Sequence, residues 1–343
     1  MPNQISLGIL LGTFSFCLIV LRSVRSGGDG QFVPHTAALL AFVGSIGSLM
    51  TFIYFIHHIA TSLQADEVVA GVYEELDTAL GDHFPDRLPD GSDEREADGE
   101  KRDWEDTDDE IEIGARKSGC IQAIAVDKLV EQASRLDLRC RVLRRPGQFI
   151  NEESALLAVH GAGVGALEES ERDDLIDTFI IDRMRTAEQD FEYCLRQLVE
   201  VSLRALSPGI NDPFTAMNCI DFLGAALAKV AQRKLPERQF SDADGILRVQ
   251  TRPTTFADLL DAAFNQIRQT AGGRTDVSLR LLGALAGIGA NLQVDLHRES
   301  VVKHAEMVAE AGRRGAQADA DRAAIDAALV RVYERLNMPA KCS

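Results

Sequence analysis

Two apolar runs stand within the first sixty residues, and they limit what the rest of the chain can become. Ile5 to Leu21 carries no charge over 17 residues and is followed by Arg22 and Arg25. As a helix rising ~1.5 Å per residue it covers roughly 26 Å, near the lower limit for crossing a bilayer. No basic segment precedes Ile5, and Ser23 to Gly30 makes a poor cleavage site, which weighs against a signal peptide. The second run, Phe32 to Ile59, has no charge apart from its histidines, and its centre, Ala37 to Ile56, spans ~30 Å as a helix. With Gly27-Gly28-Asp29-Gly30 as the loop, the pattern predicts a transmembrane helical hairpin over residues 1–60, with helices at about 5–21 and 37–56. The lipid bilayer is therefore the first expected partner. Gly8 with Gly12, and Gly44 with Ser48, are small residues at the spacing that lets helices approach closely, and a homo-oligomer formed through the membrane helices would use them. His57 and His58 are adjacent and point to different faces, which fits a polar boundary better than a metal or proton site.

The remainder is long enough for a sizeable core: 343 residues have room for about two domains. A net charge of −17 and a pI near 4.9 argue against a nucleic-acid partner, because phosphate binding calls for a basic face. Much of the excess lies in Asp86 to Glu112, with fourteen acidic and four basic residues. This run buries too little apolar surface to offset its ordering entropy, so residues 83–112 are expected to be an acidic disordered linker. It lacks the spacing of a calcium loop. Cys17, Cys120, Cys140, Cys194, Cys219 and Cys342 are scattered, as free thiols would be, and form neither a disulfide framework nor a zinc pattern. No cofactor is implied, and no metal site.

Between hairpin and linker, Thr61 to Leu80 repeats apolar residues at helical spacing, so residues 61–82 are a helical extension. Residues 113–165 read as a small β-rich module: Gly119 to Val126, Leu138 to Leu143, a strand after Arg145-Pro-Gly-Gln-Phe-Ile150, and Ala155 to Val159, with a short helix at Lys128 to Arg135. Gly161, Gly163 and Ala166 match a dinucleotide-binding spacing, with Asp182 placed like a ribose-binding acid. The segment that should hold the phosphates, Leu167 to Asp174, is acidic and would repel them, so a hinge is the better reading. Residues 166–343 form a helical domain. Its amphipathic helices include Phe191 to Leu206, one starting at Thr255 and ending at Gly272-Gly273, and one from Asp276. Two more close the chain, about Arg298 to Ala311 and Asp321 to Leu336. His297 and His304 share a helix face but lack a third converging ligand. The fold class predicted is mainly α: the hairpin, then a soluble α+β domain with a small β-rich module and a helical bundle.

Inside the helical domain one turn dominates, Arg204-Ala-Leu-Ser-Pro-Gly-Ile-Asn-Asp-Pro-Phe-Thr215. Pro208 and Gly209 stop one helix, and Asp212-Pro213 reads as an N-cap followed by proline at the first position of the next. A buried turn of this kind leaves backbone groups without intrahelical partners, and Ser207, Asn211, Asp212 and Thr215 are the side chains available for them. Upstream, Thr186 or Asp190 can cap the preceding helix. Arg185, Asp190 and Arg204 form a candidate ion network around the turn, with Gln189 beside it.

The chain resembles a bacterial family of predicted membrane proteins, domain of unknown function 2254. The likeness rests on Leu7-Gly-Ile-Leu-Leu-Gly-Thr-Phe14, Cys17-Leu-Ile-Val-Leu-Arg22, Phe32-Val-Pro-His35 and Tyr54-Phe-Ile-His-His58. It continues in Arg144-Arg-Pro-Gly-Gln-Phe149, Arg185-Thr-Ala-Glu-Gln-Asp190 and, above all, Arg204 to Phe214. It implies architecture without a reaction. Family members begin with two further membrane helices and a basic loop, so this sequence starts at what would be the third, as a truncated or naturally short form would. Arg22 and Arg25 alone would place the hairpin loop in the cytoplasm; the family arrangement implies instead that the C-terminal domain is cytoplasmic, at the inner membrane.

No nucleotide-loop, nucleophile-elbow or metalloprotease motif is present in the sequence. Three readings follow. The first is a membrane-anchored protein that binds a ligand or partner, its small molecule unknown, without being an enzyme. The second is a membrane-tethered enzyme using Arg185, Asp190 and Asp212. The third is a channel or transporter subunit, which the few polar residues in the membrane helices disfavour. All three share one expected outcome: after mild lysis and ultracentrifugation the intact chain sediments with the membranes and is released only by detergent. Recovery in the detergent-free supernatant would overturn the hairpin.

Overall fold

The computed structural model describes residues 2–23, 35–62, 65–86, 110–161, 164–252 and 254–339, in two compact units, residues 1–68 and 69–343. The glycine loop of the hairpin, Arg25, most of the acidic run and Gly163 lie outside the described residues.

In the smaller unit, α1 (Pro2–Ser23) and α2 (His35–Ser62) pack on each other. The window His35–Ile56 is long and apolar enough to cross a bilayer, and almost none of it is buried within the chain. The apolar part of α1, Gly8–Ser23, is shorter. Gly44 lies where a Cβ would meet Thr13 Cγ2 at 3.5 Å, and Cys17 Sγ is 3.4 Å from Ser45 Oγ. Gly8 and Gly12 face open space instead, so the contact between α1 and α2 runs through Thr13, Cys17, Gly44 and Ser45.

The helix α3 (Ala65–His83) carries Val69, Leu76 and Leu80 into the core of the larger unit. Phe84, just beyond it, is buried edge-on against Phe191 with ring centroids 5.0 Å apart. At the other end of the expected linker, Ile111 and Glu112 pair with Val159 and Ala158 in β1 (Ile111–Gly114). The unstructured expectation for residues 83–112 therefore fails at both margins, where an aromatic ring and a β-branched residue find apolar partners.

Seven more strands and a helix follow from that edge: β2 (Gly119–Ile124), α4 (Val126–Arg135), β3 (Leu138–Val142), β4 (Phe149–Ile150), β5 (Ala155–Gly161), β6 (Phe179–Asp182) and, later, β7 (Gln239–Ser241) and β8 (Leu247–Gln250). They form a five-stranded sheet ordered β1-β5-β3-β8-β7 and a three-stranded sheet ordered β4-β2-β6. Pairing is antiparallel except between β3 and β8, where Cys140 lies opposite Val249. The layer is thus wider than residues 113–165. It takes β6 from after the short helix α5 (Glu169–Ile176) and the β7–β8 hairpin from more than seventy residues downstream. Arg248 pins that hairpin, donating to Asp242 at 2.7 Å and Asp137 at 2.9 Å, while Ser134 of α4 donates to the same Asp242 carboxylate. Its apolar side, with Leu129, Leu138, Leu157 and Val249, makes a core of its own.

The second core is helical: α6 (Phe191–Ala205), α7 (Pro213–Val230), α8 (Phe256–Ala271), α9 (Thr275–Gly289), α10 (Leu296–Gly315) and α11 (Asp319–Arg335). Each buries an apolar stripe, as in Leu195, Leu198 and Val199 of α6. Thr255 opens α8 through a reciprocal capping box with Asp258, and Gly272 closes it in the left-handed conformation at φ +59°. Close approach of α7 and α9 is set by Gly224, where a Cβ would lie 2.9 Å from that of Ala284.

Candidate functional site

The α6–α7 pair fixes the geometry. Asp190 stands before α6, and the turn from Leu206 to Asp212 follows it. Fifteen residues of helix separate these ends by about 22 Å. The residues that looked like one constellation in the sequence therefore occupy two places.

At the far end, Pro208 to Asn211 are exposed, which corrects the expectation of a buried turn. The turn closes on itself: Asn211 N donates to Ser207 O at 2.8 Å, Asp212 N to Ala205 O at 2.8 Å, and Ser207 Oγ to Arg204 O at 2.6 Å. Asn211 takes a positive φ of +49°, which asparagine tolerates, and its side chain accepts from Arg274 rather than serving the backbone. Asp212 Oδ1 accepts from the backbone N–H of Phe214 and Thr215, and Thr215 Oγ1 donates to Oδ2 at 2.6 Å. With Pro213 in the first turn of α7, this is an N-cap, though one that solvent still reaches. The Thr215 hydroxyl, and then the capped amides, hold the Asp212 carboxyl below its ordinary range, opposite to what a general acid at neutral pH needs. Arg204 faces solvent and, among the described residues, its ion-pair partner is Glu200, at 3.6 Å, so it is no part of a network with Asp190.

At the near end, Asp190 Oδ1 accepts from Tyr193 N and caps α6, while Oδ2 accepts from Arg185 at 2.6 and 2.8 Å. Its side chain is 4% exposed. Burial pushes the Asp190 carboxyl up, against the pull of the Arg185 guanidinium. Resting on this pair is the Arg144–Phe149 turn. Gly147 has φ +85°, and a Cβ there would fall 2.0 Å from Asp190 Oδ2, so only glycine fits. Gly147 N donates to Ile121 O, and Ile121 N to Gln148 O, which tie the turn to β2. Gln189 bonds both backbone groups of Ile124, at 2.9 and 3.2 Å. Thr186 Oγ1 is buried without a hydrogen-bond partner among the described residues. Arg145 bridges to Glu192 of α6 at 3.2 Å and to Asp258 of α8 at 2.9 Å, joining the acidic first turns of two helices. Burial works to raise Asp258, but bonds from Thr255 and Arg145 outweigh it and leave the carboxyl lowered.

Beside this junction lies a cavity of about 320 Å³. Its walls come from the end of α3 (His83, Phe84), from Ile124, Val126 and Val142, from Arg144 to Pro146, from Gln189 and Phe191, and from Phe240 and Arg252. His83 Nδ1 lies 2.8 Å from Ala79 O and donates there; its Nε2 is buried and has no partner among the described residues. The lining is mostly apolar, with exposed charges of both signs in it, including Asp82, Glu188 and Arg252.

Three buried thiols are poorly suited to act as nucleophiles. Burial pushes the thiols of Cys194 to about 11 and of Cys140 and Cys219 to about 12, far from a reactive thiolate. His297 stacks on Phe256 with ring centroids 4.4 Å apart, and His304 Nε2 lies 3.1 Å from Asp261; among the described residues no three His, Cys, Asp or Glu side chains are placed to hold a metal. Sequence reasoning missed His83, Gly147 and Asp258 as parts of this junction. The Pro146-Gly147 step and the Thr255-x-x-Asp258 spacing were the available signals.

A helix long and apolar enough to cross a bilayer precedes the larger unit of layered β-structure and helices, the composition expected of a membrane protein. The chain belongs to the family described as predicted membrane protein, DUF2254, which it matches over residues 1–287. Uncharacterised proteins of Mycobacterium bovis and Mycobacterium tuberculosis are each 29% identical to it over 345 residues, covering 98% of this chain. The chain spans 64% of the length of these curated relatives. No solved structure matches it.

Replacing the Asp212 cap by Asp212→Ala is expected to cost about 1 kcal/mol in denaturant unfolding at neutral pH. Because the folded carboxyl is lowered, the wild-type advantage is complete above the unfolded pKa of about 4 and fades as pH falls through the folded one. An Asp212→Ala protein that unfolds at the wild-type midpoint at pH 7 would show that the cap contributes nothing.

Proposed function

We propose that this chain is a membrane-anchored binding protein whose ligand site is the cavity beside Asp190, with the larger unit on the cytoplasmic side of the inner membrane. The observation that carries the reading is the meeting of two family motifs, Arg144–Phe149 and Arg185–Asp190, at one junction whose residues line the cavity. The volume lies at the small end of the range for ligand pockets, and a mostly apolar lining with few polar groups is usual for them. The ligand that fits is a small amphipathic molecule. Its apolar part packs on Ile124, Val126 and Phe240, a donor group meets His83 Nε2, and an acidic group meets Arg252, which has no ion-pair partner among the described residues.

Binding is favoured over catalysis because the acids proposed for catalysis are occupied: Asp190 holds Arg185 and a helix end, and Asp212, at the opposite end of α6, holds two amides. Native mass spectrometry of the full-length protein, extracted with its lipids, tests the reading and also gives the number of chains per complex. A discrete adduct is expected on the wild type and its loss on Thr254→Trp, which adds a bulky ring to the cavity lining. A wild type without adduct, or an adduct that survives Thr254→Trp, would overturn the assignment. A reporter fused after Ser343 reads the side of the membrane directly.

A further inference from the structure

Three arginines line the cavity beside Asp190, and they are not equivalent. Arg145 is engaged by Glu192 and Asp258. Arg252 is exposed, so water already solvates its charge. Arg144 is half-buried, and its Nε donates to Ala155 O at 3.1 Å. Among the described residues, no carboxylate lies within ion-pair distance of Arg144 or of Arg252.

The local chain holds Arg144 in this condition. Leu143 N donates to Leu156 O at 2.8 Å and Arg145 N to Gln148 Oε1 at 3.0 Å, which fixes the backbone on both sides of it. The bond to Ala155 then orients the guanidinium plane. With Nε occupied, the terminal nitrogens remain, an end-on fork whose spacing matches the two oxygens of a carboxylate. A cation at an apolar wall without a counter-charge is poorly solvated, and a bound anion relieves that cost.

The other charges narrow the head group. Asp82, Glu188 and Glu237 share the lining, and Glu237 is paired with Lys234 at 3.4 Å. All three acids are exposed, so solvent and salt screen them. Half-buried Arg144 is screened less and sets the sign of the preferred ligand. The acids still oppose a second negative charge in the same space, which favours a monoanion over a dianion.

Given that the cavity is the ligand site, as proposed above, we infer that its ligand is a monocarboxylic acid with an apolar tail, and that Arg144 is the residue that selects the carboxylate. The tail lies on Ile124, Val126 and Phe240, and Arg252 is a second, solvated cation of the same site.

Isothermal titration calorimetry of the full-length protein in lipid nanodiscs, corrected with empty discs, tests this with three probes that share one tail: 4-phenylbutanoate, 4-phenylbutan-1-ol and 4-phenylbutyl phosphate. The acid is expected to bind the wild type roughly tenfold more tightly than the alcohol, the worth of a charge-assisted hydrogen bond, and more tightly than the phosphate. Arg144→Gln should bring the acid down to the level of the alcohol while leaving the alcohol unchanged, and Arg144→Lys should recover part of the difference. Arg252→Gln, at an exposed position, should weaken the acid alone and by less. A wild type that binds the acid no better than the alcohol, or binds the phosphate better than the acid, overturns the inference. So does Arg144→Gln weakening acid and alcohol alike, which is the mark of a structural role. If acid and alcohol bind equally and both are lost on Thr254→Trp, the carboxylate assignment falls while the cavity stands as a ligand site.

Discussion

One buried carboxylate joins the β-layer of the larger unit to its helices. Asp190 is asked to do three things at once: start α6, neutralise Arg185, and support the backbone of Gly147. Taking a carboxylate out of water is costly, and burial raises this one even with a guanidinium beside it. Such a charge persists only where its partners are fixed. Here they are: Arg185 packs over the Tyr193 ring, and Gly147 is bonded to β2. Through this point the β-layer is keyed to the helix bundle, and Arg145 extends the link to α8. Removing either member of the Arg185–Asp190 pair would leave the other without its charge partner in a poorly solvated place, a more serious loss than the pair's own net contribution.

The helices were legible because their signals are local. The stripe in Phe191 to Leu206, the Thr255 cap, the Gly272 stop and the Asp212-Pro213 start all act within a turn or two of the chain, and each was realised in place. What could not be read was which end of α6 each candidate would occupy. Arg185, Asp190, Arg204 and Asp212 lie within thirty residues and looked like one cluster, but a straight helix keeps its two ends apart. The β-layer was misjudged for a related reason. The four-residue strand β8 has little periodicity of its own, and the place of the local β7–β8 hairpin in the sheet is decided by β3, more than a hundred residues away. Phe84 and Ile111 were assigned to the acidic linker because their neighbours are charged; contact with Phe191 and Val159 outweighed that local composition.

The two ends of the bundle are chemically unlike. One gathers helix starts, buried charge and a cavity; the other presents a closed turn with apolar side chains and few free polar groups. A single helix, α3, runs between the two levels, beginning three residues after α2 and finishing with His83 and Phe84 in the cavity wall. Any tilt of α3 therefore alters the cavity, since Phe84 and Phe191 share an edge-to-face contact and cannot slide independently.

The parallel pairing of β3 with β8 also orders events as the chain leaves the ribosome. Cys140 is made long before Val249, and the chain between them includes the whole α6–α7 hairpin. Until β8 arrives, one side of β3 is a bare strand edge able to template unwanted association. The late strand can seat only where α4 and Arg248 meet, at Ser134, Asp137 and Asp242. Nascent chains released before β8 is synthesised would thus expose an adhesive border, and quality control acting on such fragments would be recognising an incomplete sheet.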